Sequence, residues 1–269
     1  MESLTAIILG IVQGITEFLP ISSTGHLILV QEFLGVSGVY GLSFDAMLHL
    51  ATAFAVAIYF RKDFLKIAYA FLYRITGRKV VKEDEMLLWL LIIGTIPAAT
   101  LGYFLEDYMD TVFRSPVLVA WTLIIGALIF IFAEWAGKRY QEQETVPTIW
   151  KAVGIGFFQA LALIPGMSRS GMTISGGLFL GLSREAAARF GFMLALPIIL
   201  GSGGKKFLDL LNAGAFDSGV SSIFWGSLAA FVSGLFVIHF LLKFVRNHSL
   251  MVFAVYRIIL AGVVLWWFV

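Results

Sequence analysis

The sequence predicts an all-α polytopic membrane protein, with six spanning helices and two re-entrant helical hairpins arranged as an inverted-topology repeat. Three observations carry this. Mean hydropathy is +0.92, and only 13% of the 269 residues are charged, against about 25% in a soluble domain. Six stretches are apolar over roughly the 20 residues that a bilayer-crossing helix needs. Two more, residues 3–35 and 151–183, are long enough to cross, but each is cut near its middle by proline, glycine and a polar run, "FLPISSTGH" and "IPGMSRSGM". The whole chain, 1–269, reads as one integral membrane domain, with repeats at about 1–136 and 149–269.

The elements follow in order. Residues 3–35 form a half-helix, a polar turn and a second half-helix. Pro20 ends the first half, because it supplies no N–H and restricts the residue before it. Ser22 or Ser23 can cap the second. Broken helices at membrane depth persist only where protein or a watery cavity satisfies their backbone. The first span is 42–60. Residues 61–85, "RKDFLKIAYAFLYRITGRKVVKEDE", are basic and amphipathic and read as a membrane-surface segment. Spans at 86–105 and 115–136 follow. Residues 151–183 form the second hairpin, broken at Pro165 and Gly166 and capped by Ser168. Spans at 186–203, 219–242 and 249–269 complete the chain, Pro197 interrupting the first of these and Arg257 the last. The N-terminus, "MESLTAIILG", has no basic run, so no cleaved signal peptide is expected.

The two hairpins match without a gap at a shift of 146 residues. Gly10, Gln13, Ser22, Gly25, Ile28, Phe33, Leu34, Gly35 and Ser37 fall on Gly156, Gln159, Ser168, Gly171, Ile174, Phe179, Leu180, Gly181 and Ser183, and "FDAMLHL" (44–50) falls on "FGFMLAL" (190–196). Each hairpin returns to its own side, and three spans separate the two. Three is odd, so the second enters from the opposite face. Such inverted repeats place sites near the midplane, where they meet. Loops on one side carry twelve Lys and Arg residues, in 61–82, 138–151 and 243–246. Loops on the other carry three, Arg114, Lys205 and Lys206. The positive-inside rule makes the first side cytoplasmic, so both termini and the first hairpin face outward.

Composition excludes other classes. A formal charge of +2 without a basic tract argues against a nucleic-acid partner, and the absence of cysteine excludes disulfides and thiol catalysis.

The polar turns are the candidate site. Gln13 and Glu17 sit four apart on one helix face. Each turn presents hydroxyls, free backbone N–H groups and a positive helix end, a combination that binds anions. The second turn adds Arg169, whose planar fork grips phosphate or carboxylate. Glu17 opposes an anion unless a cation or a proton joins it, so it reads as a metal ligand or a general base. Ionisable groups inside a bilayer are functional candidates by default, though a purely structural Glu17–Arg169 ion pair explains the same two residues. His49, Asp45, Glu134 and Arg257 lie near segment ends and are expected to snorkel or pair locally. His239 and His248, at a cytoplasmic edge, attract no role. The architecture alone also fits a transporter or flippase for a lipid phosphate or other anion.

With these motifs the sequence resembles the bacitracin-resistance family of undecaprenyl pyrophosphate phosphatases. Gln13 and Glu17 match its first motif, in which Glu or Gln is separated by three residues from Glu. The run Ser22, Ser23, Thr24, Gly25 and His26 matches its Ser-Ser-Thr-Gly-His, and Pro165, Gly166, Ser168, Arg169, Ser170 and Thr173 match P-G-x-S-R-S-x-x-T. The likeness covers essentially the whole chain. It implies a bacterial plasma-membrane enzyme with a site open to the outer face, which hydrolyses undecaprenyl pyrophosphate to the carrier lipid of peptidoglycan synthesis. It also implies a divalent cation, Mg2+ or Ca2+, held by Glu17 and Gln13; glutamine here removes one carboxylate from that pair. A homodimer is compatible with it. On this likeness Ser23 is the expected nucleophile, His26 the general base and then acid, and Arg169 the phosphate clamp. Ser22, Thr24, Gly25, Ser168, Ser170, Gly171 and Thr173 would bind phosphate. Phosphorylation of His26 and direct attack by water are variants of the same scheme.

Overall fold

The structure is a computed structural model, which describes residues 3–36, 41–112, 115–212 and 220–268. Ser37 and Arg114, used above in the repeat and in the charge balance, lie outside the described residues. Eleven helices are described: α1 (Ser3–Phe18), α2 (Ser23–Phe33), α3 (Gly41–Tyr59), α4 (Arg61–Ile75), α5 (Lys82–Val112), α6 (Pro116–Gly137), α7 (Ile149–Leu161), α8 (Arg169–Phe179), α9 (Arg184–Asn212), α10 (Val220–Asn247) and α11 (Met251–Phe268). Among the described residues, five are long and apolar enough to cross a membrane (α5, α6, α9, α10 and α11), and the bent pair α3–α4 makes a sixth if taken as one span.

The all-helical, multi-span class is that expected. α4 turns 80° from α3 and carries the basic, amphipathic segment, with Leu65, Tyr69 and Leu72 exposed. Neither Pro97 in α5 nor Pro197 in α9 ends its helix. The starts of α4 and α9 and the ends of α6 and α10 lie together, joined by ion pairs of Asp63 with Arg189, Glu134 with Arg184 and Glu185 with Arg246.

The two breaks have one shape. α2 and α8 begin 146 residues apart and end 146 residues apart. Each is capped by a serine in the left-handed region, Ser22 at φ 74° and Ser168 at φ 73°, the two such non-glycine residues among those described. Each serine oxygen accepts the N–H three residues on, from Gly25 at 3.4 Å and from Gly171 at 3.2 Å. A left-handed β-substituted residue costs about 1–3 kcal/mol and persists only where its surroundings impose it. The helices also end alike, at left-handed Gly35 and Gly181.

The hairpins exchange partners. α1, from the first half, lies along α10, and α7, from the second, lies along α5; α3 packs on α9 and α6 on α11. Both hairpin contacts are glycine crossings. Gly10 rests against the Gly226 carbonyl and Gly156 against the Gly94 carbonyl, so a Cβ at either would overlap backbone. The main core includes Phe18, Phe60, Phe130, Phe190 and Phe192, and the two turns line one cavity.

Candidate active site

A polar cavity of about 30 Å3 lies where the turns meet, lined by Glu17, Ser22, Ser23, Thr24 and His49 on one side and by Ala162, Ile164, Pro165, Gly166, Ser168 and Arg169 on the other. The last turn of α1 delivers Glu17, which is buried and receives three polar contacts on one oxygen. Its Oε2 accepts from Ser23 Oγ at 2.6 Å and from Gln13 Nε2 at 3.0 Å, and lies 3.3 Å from His49 Nδ1. Its Oε1 faces Arg169 Nη1 at 3.5 Å. Ser23 is the first residue of α2 and Arg169 the first of α8, so two helix N-termini aim at the same space. The first N–H groups of a helix have no partner inside it, and such groups favour an anion. Ser170 Oγ donates to the Leu19 carbonyl at 3.1 Å and ties the second turn to the first.

The structure thus brings together Gln13, Glu17, Ser22, Ser23, Thr24, Ser168 and Arg169. Other expected residues sit differently. The Gly25 and Gly171 N–H groups are taken by their capping serines. Thr173 Oγ1 turns back to the Arg169 carbonyl at 3.0 Å. His26 does not reach Ser23: its Nδ1 is 2.8 Å from the Ser22 carbonyl and its Nε2 2.7 Å from the Tyr256 hydroxyl. Ser23 Oγ donates its hydrogen bond to Glu17 Oε2 instead, so the acceptor beside it is a carboxylate.

Three expectations need correction, those for His49, Arg257 and Glu134. His49 does not snorkel: its Nδ1 lies 2.9 Å from Gln13 Nε2 and its ring lines the cavity. Arg257 is 0% exposed. Its Nη2 donates to the Gly166 carbonyl at 2.9 Å, bracing the second turn from beneath, and Gly126 and Gly171 leave it room. Hydropathy places a residue along the membrane normal but not around its helix, and both face inward. Glu134 pairs across the bundle through Arg184, at 2.8 and 2.6 Å, whereas Asp45 accepts from Gln31 at 2.9 Å. Sequence reasoning also missed Tyr256. The repeat held a signal for His49, since its counterpart at the 146-residue shift is the apolar Ala195.

Residues 6–263 match the family model described as "Bacitracin resistance protein BacA". Similar proteins named undecaprenyl-diphosphatase occur in Rubrobacter xylanophilus, 45% identical over 98% of this chain and 97% of that one, and in Alteromonas mediterranea, 42% identical over 97% and 96%. Another, from Nitrosococcus oceani, is 40% identical over the full length of both. A match over nearly the whole chain, with relatives at this identity, establishes that the chain belongs to the bacitracin resistance protein BacA family.

Proposed function

We propose that this protein hydrolyses undecaprenyl pyrophosphate to undecaprenyl phosphate and inorganic phosphate, through a phosphoserine at Ser23. The observation that carries it is the 2.6 Å hydrogen bond from Ser23 Oγ to Glu17 Oε2, set beside Arg169 between two helix N-termini. The relatives' names support hydrolysis over transport of a lipid phosphate.

Arg169 and the N–H groups opening α2 and α8 hold the terminal phosphoryl oxygens. Phosphoryl transfer asks for positioning and charge stabilisation more than for covalent help, and these groups supply both. Ser23 Oγ attacks the terminal phosphorus as its proton passes to Glu17 Oε2, and the bridging oxygen leaves with its electron pair on the lipid phosphate. Water then attacks the phosphoserine, Ser23 Oγ departs and recovers its proton from Glu17, and the water's proton leaves with the phosphate. His26 braces the Ser22 carbonyl, and Arg257 braces Gly166.

A divalent cation fits the donor set in part. The Gln13 Oε1 atom is buried without a hydrogen-bond partner, beside the Glu17 carboxylate. Among the described residues no cluster of three or more His, Cys, Asp or Glu could hold a metal, so Glu17 and Gln13 would share the ion with substrate oxygens and water, as Mg2+ allows. The ion would neutralise charge on the pyrophosphate.

In this reading the protein is a multi-pass protein of the bacterial plasma membrane with the cavity open to the outer face. The basic loops support that orientation. The product is the carrier lipid of peptidoglycan synthesis. The test is phosphate release from undecaprenyl pyrophosphate by purified protein in detergent, which removes the two compartments a pure transporter needs. Turnover by the native chain and none by Ser23→Ala is expected. Transport across vesicles without phosphate release would overturn the reading.

A further inference from the structure

We propose that the prenyl chain of the substrate leaves the polar cavity over residues 161–164 and lies in an apolar groove between α5 and α7. This rests on the pyrophosphatase reading above. The groove has a volume of about 380 Å3, within the range of ligand sites. Leu101 and Leu105 of α5 form one wall, and Phe157, Phe158 and Ala160 of α7 the other.

What selects its occupant is the segment between groove and cavity. Leu161 and Leu163 line the groove, Ala162 lines the cavity, and Ile164 lines both. The four residues form a partition one chain thick, with the polar cavity on one side and hydrocarbon on the other. A molecule with a pyrophosphate head and an isoprenoid tail matches both faces in that order. The groove also opens sideways to the bilayer: Phe157 is 57% exposed, Leu101 37% and Leu161 38%. A lipid can therefore slide in without leaving the membrane.

Lipid tails are as apolar as these side chains, so the groove gains little from hydrophobic transfer. It steers the head group instead, fixing where the pyrophosphate enters. Filling the groove therefore penalises long-chain substrates and spares short ones.

The experiment compares the full chain with Leu101→Trp and Phe157→Trp in detergent, on undecaprenyl pyrophosphate and on isopentenyl pyrophosphate, which has one isoprene unit. Expected is a fall of about tenfold or more in kcat/KM on the long substrate, the size of effect that pocket shape gives, with the short one unchanged. Equal loss on both, or no loss on either, overturns the groove. A native chain that hydrolyses neither sinks the pyrophosphatase reading itself and the groove with it. A second measurement needs no variant: a prenyl pyrophosphate with a photoreactive group in its chain is cross-linked to the native protein. Labelling of 101–105 or 157–164, competed by undecaprenyl pyrophosphate, is expected. Labelling elsewhere, or equal labelling by the phosphate-free prenol, overturns the assignment and leaves an ordinary lipid contact.

Discussion

Glu17→Gln, assayed at saturating Mg2+, tests the proton acceptor, because the side chain keeps its size and loses its basicity. Three polar contacts converge on Glu17 Oε2, from Ser23 at 2.6 Å, Gln13 at 3.0 Å and His49 at 3.3 Å, while Arg169 faces Oε1 at 3.5 Å. A glutamine with its oxygen at the first position sets an N–H against Arg169. Turned over, it sets that N–H against Ser23. Either way Ser23 keeps its proton at the moment of attack. Losing a positioned general base costs about 10²–10⁴ in rate, or about 2.7–5.4 kcal/mol at about 1.36 kcal/mol per tenfold. With Mg2+ kept saturating, to offset the lost carboxylate that Glu17 would offer the cation, substrate binding should hold. The loss therefore belongs in kcat, with KM unchanged. The assay is phosphate release over a range of lipid concentrations, with thermal unfolding alongside, since Arg169 loses its partner. A variant that turned over within about tenfold of native, with its fold intact, would refute Glu17 as the base and leave it an ion-pair partner.

Arg169→Lys should fail almost as badly as Arg169→Ala, by about a hundred- to thousandfold in kcat, because a point charge does not replace a planar fork; near-native turnover by the lysine variant would favour the structural ion pair. His26→Ala should cost about a hundredfold by loosening the turn at Ser22, with the pH profile of kcat unmoved; a displaced profile would return His26 to proton transfer. Chelation should stop turnover and added Mg2+ restore it; full activity in excess chelator, after bound metal is stripped, would exclude the cation. Gly156→Ala should lower stability by about 1–3 kcal/mol, read as a fall in Tm in detergent, because its methyl group meets the Gly94 carbonyl; an unchanged Tm would mean that the α5–α7 crossing adjusts freely.

Sequence showed most of what lies along the chain and least of what lies around each helix. The spans and both polar breaks were legible because apolar runs and helix-breaking residues are local signals. Ser22 and Ser168 were legible as caps through their 146-residue register, but the shared left-handed backbone was not, since a positive φ is uncommon for any residue but glycine and serine does not signal it. Glu17, Ser23 and Arg169 stood out as polar groups in an apolar setting. His49, Tyr256 and Arg257 did not, because their partners lie 36, 230 and 91 residues away in the chain. The partner of His26 was hidden for the same reason. The family likeness pairs His26 with Ser23, and only the fold shows its ring directed to Tyr256.

The exchanged hairpins bear on how the protein is made. Gly10 needs Gly226, 216 residues later in the chain. At about 5–20 residues per second, synthesis leaves α1 without its partner for about 10–40 s. During that interval the break at Pro20, with Glu17 and Ser23 beside it, has neither Arg169 nor α10 to cover it, and lipid cannot satisfy those groups. The nascent chain must therefore shelter its first hairpin in the insertion machinery or at the membrane surface until the second half arrives. A chain stopped before α10 is then a membrane protein with an open wound at its centre, a substrate for quality control and not half a catalyst. The two halves, made as separate chains, would have to meet before either could settle.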